Sequence, residues 1–202
     1  MTTTPVRLPA AERRRTLVDT ALRVFAEGSY RGTTTAEIAR EAGVSEPILY
    51  RHFASKRDLY LACIEESWHG LRAMWDEAIA AADSSREFLP AMSGCYLSIR
   101  DAKYRVAELW MQATVEAADD AEVRRFLRRQ LRDVRDYVGA VIRRCQADGT
   151  VLKERDAEAE AWLFIAGGLL GTMGRRLGGL LGEDDFAAIR SSRKEWMTGH
   201  RT

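Results

Sequence analysis

Between Thr33 and Phe53 the sequence writes two short helices joined by a turn at Gly43, and each end carries its own start or stop signal. A threonine run precedes the first helix, where a hydroxyl can accept from backbone N–H groups that lack a helical partner. Gly43 falls where that helix must end in a left-handed residue, a conformation glycine tolerates best. Ser45 is placed to cap the second helix, and Pro47 falls in its first turn, where a missing N–H costs nothing. Ala39, Val44, Leu49 and Phe53 fall on the inner side and are read as core fixing the angle between the two helices. With its flanking helix patterns from Arg15 to Leu59, the stretch reads as a helix-turn-helix. A short, rigid helix with an exposed N-terminus suits insertion into a major groove.

Bulk charge does not explain nucleic-acid binding. The 202 residues carry a formal net charge of only +1, so any such binding must be local. A chain of this length buries roughly 70% of its unfolded surface and needs no staple. With 46% hydrophobic and 30% charged residues and four prolines, it reads as a soluble, largely helical globule. Cys63, Cys95 and Cys145 are far apart and odd in number, which favours buried free thiols in a reducing cytoplasm over a disulfide or metal role. Met1 to Leu8 shows no apolar signal segment. The longest apolar run, Ala161 to Gly174, falls short of the roughly 20 residues that span a bilayer. The expectation is a cytoplasmic protein without membrane association.

Helical periodicity dominates the rest. Leu17, Ala21 and Phe25 recur along a helix predicted from Ala10 to Glu27, which Gly28-Ser29-Tyr30-Arg31-Gly32 breaks. A long helix is predicted from near Lys56 to about Asp83, then one containing Phe88, Met92, Tyr96 and Ile99, and a shorter one from Tyr104 to Ala117. Asp119-Asp120 opens an arginine-rich helix to about Ala147; Asp156 caps another reaching Leu181, and Glu183-Asp184-Asp185 starts the last. The composition shift near Ser55 suggests two domains, 1–55 and 56–202.

At Leu17, Ala21, Phe25, Tyr30, Thr33-Thr34, Ile38-Ala39, Ala42-Gly43-Val44-Ser45, Leu49-Tyr50, Phe53, Lys56 and Leu59, the first third of the chain resembles the TetR (tetracycline-repressor) family of bacterial transcription regulators. One departure is Ser29, where the family usually has glycine before the aromatic. The resemblance implies an all-α dimer of about nine helices, with a three-helix unit on palindromic operator DNA and a C-terminal bundle that dimerises and holds a small-molecule effector. It also implies DNA contacts from Thr34, Thr35 and Ala36, from Ser45, Glu46, Pro47, Ile48, Tyr50, Arg51 and His52, and from Lys56.

The chemistry of these residues divides between holding and reading. Thr35, Tyr50, Arg51, His52 and Lys56 carry donors suited to phosphate oxygens, which position a protein without reading sequence. Arg7, Arg13, Arg14 and Arg15 can add backbone contacts; the alternative is a solvated basic face. Pro47 and Ile48 offer apolar surface to a thymine methyl, and Glu46 can accept from a cytosine amino group.

Beyond Ser55, two readings of the aromatic and sulfur-bearing positions stay open. Trp68, Trp75, Met92, Tyr96, Trp110, Met111, Tyr137 and Trp162, with Arg72, Cys95, Thr114 and Gln130, either line an apolar cavity or pack as core. A small-residue seam, Gly167, Gly171, Gly174 and Gly178 with Leu170, Leu177 and Leu181, is read as dimer interface; its rival is an internal seam against the arginine-rich helix. Glu65 and His69 share a helix face, but no second cluster supports a metal site. No cofactor motif and no catalytic set is evident, so an enzyme or carrier, and an effector-free DNA-binding protein, are the alternatives to a ligand-responsive regulator. In that regulator a stiff helix from Lys56 to about Asp83 would carry ligand-driven movement to the DNA-reading unit.

Overall fold

The computed structural model describes residues 9–98 and 106–199, with side chains 96–98 and 106 excluded. Among the described residues it contains nine α-helices and no strand: α1 (Ala10–Glu27), α2 (Thr35–Glu41), α3 (Glu46–Tyr50), α4 (Lys56–Ala80), α5 (Phe88–Ser98), α6 (Val106–Asp119), α7 (Ala121–Ala147), α8 (Ala157–Arg176) and α9 (Glu183–Thr198). A single 3-10 turn, Ser85–Glu87, leads into α5. No described helix is long and apolar enough to cross a membrane.

Two compact units divide the chain. Packing assigns 9–70 and 106–113 to the first and 71–98 and 114–199 to the second, so the cut falls inside α4 rather than at Ser55. The first unit extends past Ser55 because Leu59, Tyr60, Cys63 and Ile64 of α4 are fully buried. Phe25 of α1 meets the Tyr60 ring edge-on at 5.0 Å, and the Tyr60 hydroxyl donates to the Leu109 carbonyl at 3.0 Å. Gln112 donates to the Phe25 carbonyl at 3.2 Å. The i, i+4 series of α1 thus becomes a buried stripe.

The turn after α1 explains the departure at Ser29. A Cβ at Gly28 would approach Thr33 Oγ1 at 3.1 Å and the Val24 carbonyl at 3.2 Å, so glycine fits here with the least crowding. Ser29 then closes the turn with its side chain, accepting from the Gly32 N–H at 3.0 Å.

Local capping follows the sequence signals with one correction. Thr34 accepts from the Glu37 N–H at the start of α2, and Gly43 takes φ +66° after its end. Ser45 occupies the cap position of α3 but makes no side-chain capping bond. Pro47 removes one N–H from the first turn, and the Ile48 N–H goes to the Ser45 carbonyl at 2.9 Å. Ser55, expected only as a separator, caps α4 through the Asp58 N–H at 3.1 Å. Val44 is only half-buried, whereas Ala39, Leu49 and Phe53 are buried as expected.

In the second unit α7 buries Val123, Leu127, Gln130, Val134, Val138, Ile142 and Cys145 along one stripe and pairs with α8. Asp120 and Asp156 cap α7 and α8, each accepting two backbone N–H bonds. Those bonds hold the Asp156 carboxyl below its ordinary pKa range. Helix α4 ends at Ala80, three residues short of Asp83, and α8 ends at Arg176 instead of reaching Leu181. The cause lies in Gly178 and Gly179, both left-handed at φ +74° and +88°, which fold the chain back so that Gly179 donates to the Gly174 carbonyl.

Leu49 is the one buried residue of α3. Leu49→Ala is expected to cost about 2–5 kcal/mol, the range for deleting a buried leucine side chain, and to lower the thermal midpoint read by far-ultraviolet circular dichroism. An unchanged midpoint would show that α3 is anchored elsewhere.

Candidate nucleic-acid interface

Helices α2 and α3 bring the predicted contact residues to one part of the first unit, with distinct exposures. Thr34, Ala36, Ser45, Pro47, Tyr50 and Arg51 are exposed, and Glu46, Ile48, His52 and Lys56 are half-buried. Thr35 is buried, at 8% exposure. Arg51 ends α3 and His52 lies in the following turn, so neither extends the helix itself.

Three side chains at this surface bond to one another. The Thr35 hydroxyl lies 2.5 Å from Glu46 Oε1 and 3.1 Å from the Tyr50 hydroxyl. Glu46 and Tyr50 stand four residues apart on α3, so both reach the same point at the start of α2. Helical spacing alone could not find this link, because Thr35 belongs to another helix.

Two cations are seated on aromatic rings. The Lys56 ammonium lies 4.6 Å from the Tyr30 ring centroid, and Tyr30 packs on Tyr60 at 4.8 Å. The Arg14 guanidinium lies 4.8 Å from the Phe53 ring centroid. Tyr30, read from sequence as part of a helix break, therefore fixes the position of a charge. Arg13 is half-buried and Arg15 exposed, while Arg7 lies outside the described residues.

A model of bacterial regulatory proteins of the tetR family matches residues 17–63, the span that holds this surface. The chain is 34% identical over 150 residues to the HTH-type transcriptional regulator BetI of Rhizobium meliloti (strain 1021), covering 74% of this chain and 72% of that protein. The chain belongs to the TetR family. It is a transcription regulator with the family's helix-turn-helix. It is also 40% identical over 85 residues to the HTH-type transcriptional activator FasR of Mycolicibacterium smegmatis, a match spanning 42% of this chain and 39% of FasR. The fold is similar to a TetR-family regulator from Cytophaga hutchinsonii (TM-score 0.81, 16% identity, 97% of this chain and 98% of that one). A TetR regulator from Chloroflexus aurantiacus J-10-FL is likewise similar (TM-score 0.71, 24% identity, 83% and 85%).

The effector positions suggested by sequence are distributed over both units of this TetR-family chain. Trp68, Trp110 and Met111 belong to the first, where both tryptophans are buried and Met111 is half-buried. The Trp110 indole N–H is buried with no hydrogen-bond partner among the described residues. In the second unit Trp75 stacks on Tyr137 at 5.8 Å, meets Phe164 edge-on and donates to the Met92 carbonyl at 3.0 Å. Arg72 lies 5.2 Å over the Tyr137 ring. The Tyr137 hydroxyl donates to Asp76 at 2.6 Å; burial, then this carboxylate, push its pKa well up. Arg72, Trp75, Met92 and Tyr137 thus form one cluster. Gln130 is buried on α7, Cys95 is half-buried with its thiol pKa raised by burial, and Thr114 and Trp162 are exposed. The Tyr96 side chain lies outside the described residues.

The glycine seam divides in a similar way. Gly171 and Gly174 are buried, and a Cβ on Gly174 would meet Leu181 of the same chain at 3.8 Å. Gly167 is exposed, with open space where a Cβ would stand. Leu170 and Leu181 are half-buried, Leu177 is exposed, and Gly178 sits in the left-handed turn rather than on α8. Trp162, Leu163 and Met173 of α8 are exposed, as are Leu177 and Leu180 in the turn after it, and helical periodicity alone does not group them.

Lys56→Ala is expected to weaken binding to every DNA duplex similarly and to make the plot of log K against log salt shallower by about one unit. Fluorescence anisotropy over a salt series measures this. A wild-type slope in the variant would remove Lys56 from the phosphate contacts.

Proposed function

We propose that this protein is a cytoplasmic, ligand-responsive repressor that binds an inverted-repeat operator as a homodimer. A small apolar or aromatic effector releases it. The exposed apolar residues of α8 carry the proposal. Trp162, Leu163 and Met173 stand at 39–53% exposure on α8, which packs on α7, and Leu177, just past its end, at 62%. Exposed apolar side chains of this size favour burial against another surface. A two-fold axis lets these residues meet their own copies, and an inverted-repeat operator calls for two recognition helices about 34–36 Å apart, one turn of DNA. The seam residues Gly167, Leu170 and Leu177 fit the edge of that contact, while Gly171 and Gly174 support it from within the protomer.

For the effector, the supporting feature is the aromatic cluster around Trp75, with Arg72 as its polar neighbour. Helix α4 contributes residues to both units, so a ligand that shifts its later part has a stiff element on which to act. Linkage requires such a ligand to bind the DNA complex more weakly, by the factor through which it weakens DNA binding. The repressor direction is tested with a promoter–reporter fusion, since one similar protein is named an activator.

Leu163→Glu with Leu177→Glu is expected to give a folded monomer in analytical ultracentrifugation that has lost operator affinity. A dimer that persists would move the interface elsewhere. Trp75→Ala is expected to leave ligand-free operator affinity within a few-fold and to blunt release by effector. A gel-shift titration with candidate aromatic ligands reads both effects, and an unchanged response would take Trp75 out of the effector site.

A further inference from the structure

The bonded group Tyr50–Thr35–Glu46 has a determined direction. A carboxylate accepts but does not donate, so at 2.5 Å the Thr35 hydroxyl donates to Glu46 Oε1. Thr35 has one hydroxyl proton. At 3.1 Å the Tyr50 hydroxyl must therefore be the donor and Thr35 the acceptor. The chain of bonds runs from Tyr50 to Thr35 to Glu46, around a threonine that is only 8% exposed.

This direction changes what α3 offers to DNA. Tyr50 is 46% exposed, yet its hydroxyl proton points inward and its outward face carries lone pairs only. Glu46 is half-buried and has acceptor capacity remaining on both oxygens. This face of the recognition helix thus presents acceptors and a negative charge. Phosphate oxygens are acceptors too, so they are poor partners. In the major groove, the donors are the exocyclic amino groups of cytosine and adenine, whereas guanine and thymine present O6, N7 and O4 acceptors.

We infer that Tyr50, Thr35 and Glu46 act as one specificity-determining array that accepts a base amino group, cytosine N4 or adenine N6, at one operator position. Thr35 is the positioning residue, touching no base itself. The inference rests on the DNA-reading function proposed above. It also assigns Tyr50 to reading, where donor chemistry alone assigns it to phosphate.

The test begins with selection of duplexes from a randomised library by the full-length protein. Affinities are then measured for the selected duplex and its single-base-pair variants. Thr35→Val is expected to reduce discrimination at one position, normally roughly 5- to 150-fold for a good base contact, without changing the salt slope. Thr35→Ser should restore it. Glu46→Gln can turn an amide donor outward, so it should extend tolerance at that same position to guanine or thymine. Tyr50→Phe should loosen the same position alone. Glu46 and Tyr50 are not fully buried, so these variants report even if Thr35→Val fails to fold. Uniform weakening of all duplexes by Tyr50→Phe would make Tyr50 a phosphate donor and overturn the array. Unchanged preferences in Glu46→Gln would do the same. A wild-type protein that enriches no sequence would overturn the DNA-reading function and the array together.

Discussion

A helix of five residues cannot hold its own direction in water, where isolated helices below roughly 12–15 residues are marginal. Helix α3 is such a helix, and the candidate DNA-binding surface depends on how it is held. Leu49 is completely buried beneath it and Phe53 nearly so just beyond its end. Gly43 lets the Val44 N–H reach back to the Ala39 carbonyl at 3.0 Å, fixing the entry to α3 from the α2 side. Thr35 adds a polar tie to Glu46 and Tyr50, at the two ends of the same short helix. An apolar anchor sets the depth of α3, and the polar tie sets its rotation.

The second unit solves a different problem, because its helices are long. Ala157, Ala161 and Ile165 are buried on α8, while Trp162 and Leu163, one and two residues on from Ala161, are exposed. At its N-terminal end a buried carboxylate, Glu160, is bonded by Arg193 and by the Trp196 indole N–H at 2.7 Å. A buried charge without such partners is strongly unfavourable, so Glu160 dictates where α9 docks. The Arg155 guanidinium lies 3.5 Å from the Trp196 ring centroid, and its Nε donates to the Trp196 carbonyl at 3.0 Å. With α9 seated in this way, Trp162, Leu163 and Met173 of α8 remain exposed.

Local chemistry was legible in the sequence wherever one residue decides a conformation. The Thr34 cap, the left-handed Gly43, the Asp120 and Asp156 caps and the bounds of α1 all follow from neighbours within four residues. Ser45 shows the limit: its type is right for a cap, but Pro47 and the Ser45 carbonyl remove the N–H groups that it would serve. The end of α8 was misplaced because apolar periodicity continues through Leu177 and Leu181 while two adjacent glycines turn the backbone. Links between distant positions were not legible. Periodicity gives the phase of one helix, so it cannot tell that Thr35 meets Glu46 or that Lys56 sits on Tyr30.

The Thr35 link gives an acidic residue a place on a surface that must approach a polyanion. In the proposed array Glu46 would oppose any nearby phosphate and so weaken binding to DNA of any sequence. Only opposite an amino group is that repulsion offset by a hydrogen bond, and the difference between the two situations is specificity. General affinity then has to come from cations held apart from Glu46. Lys56 and Arg14 are held by ring contacts on Tyr30 and Phe53, at positions fixed by α4 and α1 rather than by α3. Because that attraction is the same for every sequence, it raises affinity without altering the difference on which discrimination depends.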